Sequence, residues 1–124
     1  MITATILIVD DDPNIRELIS VNLQSAGYSV ITASNGNDAM EKINAQVPEL
    51  IILDIMMPEI DGWELCKWIR DDPRMESVKI LMLTAKGTDR DKLIGREIFK
   101  ADEYMTKPFE IELLQQTVSR LLYG

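Results

Sequence analysis

Short apolar runs alternate with longer amphipathic stretches five times along this chain, and few folds accommodate that rhythm. The runs "TILIV" (5–9), "YSVITA" (28–33), "LIIL" (50–53), "KILMLT" (79–84) and "ADEYMT" (101–106) have the length and composition of strands. Between them, apolar residues recur at helical spacing. Ile15, Leu18, Ile19, Leu23 and Ala26 mark a first helix stopped by Gly27, Ala39, Met40 and Ile43 a second, and Leu65, Cys66 and Ile69 a third. Leu93, Ile94 and Ile98 mark a fourth, weakened by Gly95, and Leu113, Leu114, Val118 and Leu121 a last one. Strict strand–helix alternation predicts an α/β protein, a parallel five-stranded sheet with helices on both faces. Runs one, three and four are apolar throughout, as strands covered on both faces are. Runs two and five carry more polar residues and belong at the edges. The order 2-1-3-4-5 satisfies both conditions. With 124 residues, 46% of them hydrophobic, the chain can bury one core, and residues 1–124 are expected to form a single domain.

In that order the chain reverses direction beside strands one and three. Ligands of such sheets bind there, outside the carboxyl ends of the strands. Those ends can be read directly. Strand one runs into Asp10 and Asp11, strand three into Asp54, strand four into Thr84, and strand five into Lys107 and Pro108. Three carboxylates in one crevice disfavour one another's ionisation, and a divalent cation removes that cost. Oxygen-only ligands suit a hard ion such as Mg²⁺, with Mn²⁺ as a substitute. A cation, an ammonium and a hydroxyl around one aspartate are the parts that stabilise a transferring phosphoryl group. Asp54, at the end of the central strand, is the best-placed nucleophile for an acyl phosphate. Asp12 reads differently from its neighbours. It precedes Pro13, and an aspartate followed by proline is a helix start.

Composition closes other routes. The chain has no histidine, so Ser-His-Asp and Cys-His catalysis is impossible and a zinc site of the usual kind is not expected. Cys66 is the only cysteine and can form no internal disulfide. A net charge of −8 argues against nucleic acid or an anionic membrane as a direct partner. No signal-peptide pattern and no membrane-length apolar stretch is present, so a soluble, cytoplasmic protein is expected. No G-x-G-x-x-G or G-x-x-x-x-G-K-[ST] loop follows strand one, which disfavours a nucleotide or flavin carrier. Other residues have ordinary structural readings. Asp61-Gly62 reads as a turn, Cys66 as core filler, Trp63 and Trp68 as packing, and Met56-Met57 as loop packing.

The segments "ILIVDDD", "LIILDIMMPEIDG", "LMLTAKG" and "ADEYMTKPF" together resemble the receiver domain of bacterial two-component response regulators. The likeness spans essentially the whole chain, with its motifs at four successive strand ends. It implies a flavodoxin-like (βα)5 three-layer sandwich and a switch worked by phosphorylation. Asp54 would accept phosphate from a phosphohistidine of a sensor kinase or phosphotransfer protein. Asp11 would bind Mg²⁺ directly, Asp10 through water, and Met56 through its backbone carbonyl. Lys107 would bind a phosphoryl oxygen, next to a cis peptide at Pro108. Thr84 would swing toward the phosphate and Tyr104 would follow inward, remodelling the surface of helix four, strand five and helix five for a downstream protein, a missing effector domain or a second copy. The chain would phosphorylate itself without turning over an external substrate. The rival readings are a phosphate-independent receiver-like scaffold and an aspartyl-phosphate phosphatase of the haloacid-dehalogenase type. The scaffold typically lacks the acceptor or the lysine, and the phosphatase has a second aspartate where Met56 stands. Four positions depart from the family pattern. Lys100 stands where a small residue or glycine is frequent. Met56 replaces a frequently polar residue and predicts a long-lived acyl phosphate. Gln115 and Gln116 replace charged dimer contacts.

Overall fold

Five parallel strands form one sheet in the order β2-β1-β3-β4-β5, as the edge argument requires. They are β1 (Thr5–Val9), β2 (Ser29–Ala33), β3 (Leu50–Asp54), β4 (Lys79–Thr84) and β5 (Glu103–Thr106). This computed structural model of the chain describes residues 3–85 and 99–124. Within them lie α1 (Pro13–Ser25), α2 (Gly36–Ala45), α3 (Gly62–Arg70), a 3-10 turn (Pro73–Met75) and a C-terminal helix (Ile111–Tyr123). The fourth helix expected around Leu93, Ile94 and Ile98 lies outside the described residues. No helix among the described residues is long and apolar enough to cross a membrane.

Side chains alternate across the sheet and split the core in two. Leu7, Val9, Ile51 and Leu53 point to one face, where they meet Ala39 and Ile43 of α2 and Leu65, Cys66 and Ile69 of α3. Ile6, Ile8, Leu50 and Ile52 point to the other, against Ile19 and Leu23 of α1 and Leu114 and Val118 of the C-terminal helix. The register pairs Ile6 with Leu50 and Leu7 with Ile51, so β1 and β3 contribute equivalent residues to each face. Every residue of β1 and β3 is buried, whereas in β2 only Ala33 is, as suits an edge strand.

Helix faces depart from the expectation at two leucines. Leu18 is 44% exposed and Leu113 51%. In α1 the buried residues are Ile19 and Leu23, four apart, and Leu18 lies just off that stripe. In the C-terminal helix, Leu114, Thr117 and Val118 take the core positions and turn Leu113 outward. Strand five is also shorter than its apolar run. Before it, the Asp102 N–H donates to the Ile80 carbonyl (2.9 Å), and the Asp102 carboxylate accepts from the Ile80 N–H (2.8 Å) and from Arg70 (2.6 Å). A side-chain acceptor thus stands in for part of the ladder. Two residues before Asp102, Lys100 has φ +60°, and its carbonyl accepts from Arg70 Nε at 3.0 Å. A left-handed backbone is the physical reason glycine suits this position.

Candidate functional site

The carboxyl ends of β1, β3, β4 and β5 meet at one point. Asp10 leaves β1 with no exposed surface, held on every polar atom. Its N–H donates to the Ala33 carbonyl (3.3 Å), and its Oδ1 accepts from the Asp12 N–H (2.9 Å). Its Oδ2 lies 2.8 Å from Lys107 Nζ, and its carbonyl accepts from Arg16 Nη1 at 2.7 Å. Asp54, the last residue of β3, is 4% exposed. Its Oδ1 accepts from the Met56 N–H at 3.3 Å and lies 3.4 Å from Lys107 Nζ. Asp11 is exposed. One carboxylate oxygen from each of Asp10, Asp11 and Asp54 lies within 4.8 Å of the others. Carboxylates so close, on a rigid sheet, form a donor set suited to a hard divalent cation.

Lys107 is brought there by backbone. Its N–H donates to the Thr84 carbonyl at 2.6 Å, joining the ends of β4 and β5, and its peptide to Pro108 is cis. Thr84 itself is buried beside it. The electrostatics follow from this crowding. Burial, then the Asp10 charge, push the Asp54 carboxyl up to about 6, against the opposing pull of Lys107 and the Met56 N–H. Burial alone would lower Lys107, but the hydrogen bond and charge of Asp10, then Asp54, outweigh it and raise it.

Asp12 caps α1, its Oδ1 accepting from the Asn14 N–H at 2.9 Å, with Pro13 as the first helical residue. Asp61 is more than a turn residue. It caps α3 by accepting from the Glu64 N–H at 2.9 Å. Met57 is buried as loop packing, but Met56 is 71% exposed at the rim of the site. Cys66 is core filler, its thiol donating to the Phe99 carbonyl and pushed up to about 11, chiefly by burial. Trp63 and Trp68 pack on the core.

Three features escaped the reading of the sequence. Arg16 carries no motif, yet it reaches back to Asp10. Gly62 looks like turn punctuation, but a Cβ there would lie 2.5 Å from the Asp54 carbonyl oxygen, so α3 begins pressed against the end of β3. Tyr104 is 7% exposed and stacks with Trp63 at 6.5 Å, and Trp63 in turn meets Phe99 at 4.8 Å. Trp63 and Tyr104 stand far apart in sequence, and only the packing of α3 on β5 makes them neighbours.

The model of the response regulator receiver domain matches residues 6–119 of this chain. The chain belongs to the response regulator receiver domain family. It is 46% identical over 117 residues to the alkaline phosphatase synthesis transcriptional regulatory protein PhoP of Bacillus subtilis, covering 94% of this chain and 48% of that protein. The chain therefore spans about half the length of such curated relatives. Among solved structures it is similar to the chemotaxis protein CheY4 of Vibrio cholerae, with a TM-score of 0.92 and 36% identity over 98% of this chain and 100% of that one. It is also similar to the response regulator TrrA of Thermotoga maritima in complex with Mg(2+)-BeF, with a TM-score of 0.85 and 42% identity, covering 97% and 100%. The receiver domain is a signalling domain, and its fold is the flavodoxin-like one seen here.

Proposed function

We propose that this receiver domain, taken as residues 1–124, is a switch whose phosphoacceptor is Asp54. One observation carries the assignment. Asp54 is the carboxylate that ends the central strand, buried between Asp10 and Lys107, with an oxygen 3.4 Å from the lysine ammonium. A carboxylate oxygen of Asp54 attacks the phosphorus of a phosphohistidine, and the phosphorus–nitrogen bond breaks. The electron pair stays on the departing imidazole, which takes up a proton, and an acyl phosphate remains. Lys107 offsets charge on the phosphoryl oxygens. Asp10, Asp11 and Asp54, with the Met56 backbone carbonyl, would hold Mg²⁺, or Mn²⁺ in its place. That cation would supply positive charge to the phosphoryl oxygens. Thr84 and Tyr104 read the phosphate and alter the surface around β5 and the C-terminal helix.

The donor is a sensor histidine kinase or histidine phosphotransfer protein. The reader is a downstream protein, an effector domain or a second copy of the chain. No external substrate is turned over. A net charge of −8 makes the chain itself a poor match for nucleic acid. Incubation with acetyl phosphate, followed by intact-mass measurement, tests the reading. The expected result is one phosphoryl addition that needs Mg²⁺ and disappears in Asp54→Asn. Undiminished labelling in Asp54→Asn moves the acceptor elsewhere, and no labelling of the wild type favours a phosphate-independent scaffold.

A further inference from the structure

Beside the acidic turn after β1, the start of α1 carries a basic side chain that the mechanism does not use. Arg16 sits in the first turn of α1, one turn beyond Asp12, and its Nη1 donates to the Asp10 carbonyl at 2.7 Å. Three carboxylates are its close neighbours in sequence, yet Arg16 forms no ion pair with any of them. The guanidinium goes instead to the carbonyl of the peptide that joins Asp10 to Asp11. We infer that Arg16 is a positioning residue for the cation site, holding the Asp10–Asp11 peptide so that Asp11 is aimed at Asp10 and Asp54.

The contacts of the two aspartates differ, and that difference supports the assignment. Asp10 is fixed through its side chain, by the Asp12 N–H and Lys107. The carboxylate of Asp11 is exposed and makes no hydrogen bond or ion pair with another described residue. Its place within 4.8 Å of the other carboxylates is therefore set by its backbone. Asp12 fixes the downstream end of that backbone as the cap of α1, and Arg16 fixes the peptide at its upstream end. Because Arg16 belongs to α1 while Asp10 leaves β1, the bond also sets the angle at which the strand feeds the helix. Groups that orient metal ligands in this way typically change metal affinity 10–100-fold when removed.

Two physical effects of Arg16 have opposite sign, which makes the inference testable. As a bare positive charge near an acidic cluster, Arg16 opposes a cation, and its removal would tighten binding. As the group that holds the peptide, its removal loosens Asp11 and weakens binding. The inference rests on the reading of the acidic cluster as a cation site, and the test separates the two. Free Mn²⁺ is counted by electron paramagnetic resonance during titration of wild type, Asp11→Asn, Arg16→Met and Arg16→Lys. Wild type is expected to bind one ion and Asp11→Asn to lose it. Arg16→Met, which keeps an apolar stem but has no donor, is expected to bind about tenfold more weakly. Arg16→Lys, which keeps a donor, recovers most of the loss. Melting in EDTA shows whether Arg16→Met is folded; if it is not, Arg16→Gln, too short to span the same gap, replaces it. Binding by Arg16→Met at wild-type strength or tighter overturns the inference, as does a lysine variant as weak as the methionine one. A wild type that binds no Mn²⁺ overturns the cation site itself, and the role of Arg16 with it.

Discussion

Asp54 is the residue at which the site is most costly to build. Its carboxyl is raised from 3.8 to about 6 by burial and by Asp10, so without a cation the folded protein binds a proton there more tightly than the unfolded chain does. The sign follows from linkage. Native Asp54 disfavours folding once ionised, so stability is gained as the pH falls from about 6 toward 4 and is lost again as it rises. That rise corresponds to at most roughly 3 kcal/mol at pH 7. Asp54→Asn removes the charge but keeps the shape. In EDTA at pH 7, urea unfolding is expected to find Asp54→Asn more stable than wild type by about 1–3 kcal/mol, with the difference shrinking toward pH 4. A variant less stable than wild type at pH 7 would mean that Lys107 more than offsets burial and Asp10. Lys107 bonds Asp10 more closely, at 2.8 Å against 3.4 Å, which is why a net cost at Asp54 is expected to survive.

The elements matter to the site through their ends. Gly62 opens α3, and a Cβ there would sit 2.5 Å from the Asp54 carbonyl oxygen and 2.6 Å from the Ile55 Cα. Both are backbone atoms at the end of β3 or just beyond it, and neither can swing aside. Gly62→Ala is expected to cost about 1–3 kcal/mol and to lower the rate of labelling by acetyl phosphate, since what must move is the Asp54 peptide. Gly27→Ala is the matched comparison. Gly27 has φ +99° with nothing near its would-be Cβ, so it should lose roughly 1 kcal/mol to strain and label normally. Unfolding and labelling measured on both variants separate a general loss of stability from damage to the site. Much of this arrangement was legible in the sequence. Every strand announced itself by an apolar run, and Asp10, Asp11, Asp54 and Lys107 each stand where such a run ends. Leu18 and Leu113 misled because an apolar residue beside a helical stripe looks the same as one within it. Asp61 hid its capping role because Asp-Gly also spells a turn. Arg16, Gly62 and the Trp63–Tyr104 stack could not be read at all, because each is a contact between elements, and sequence spacing reports only contacts within one.

At the scale of the molecule, the sheet converts a local repulsion into a property of the whole fold. Both core layers grip the strands that carry Asp10 and Asp54, so the carboxylates cannot relax apart without loosening β1 and β3 from each other. The unfolded chain holds no such cluster, and a cation that binds only the folded form must stabilise it by mass action. Above its dissociation constant, each tenfold rise in Mg²⁺ is worth about 1.4 kcal/mol. For a 124-residue chain, that is a rise of about 5 °C in Tm per decade. The chain also carries a net charge of −8, so any salt relieves some self-repulsion and can raise Tm without occupying a site. Melting curves should therefore be compared at constant ionic strength, with Na⁺ exchanged for Mg²⁺. The wild type is expected to climb logarithmically with Mg²⁺, and Asp11→Asn to stay nearly flat, because Asp11 is the carboxylate of the cluster that folding leaves exposed. Parallel climbs in both proteins would assign the stabilisation to diffuse screening of the acidic surface and not to the carboxylates at the strand ends.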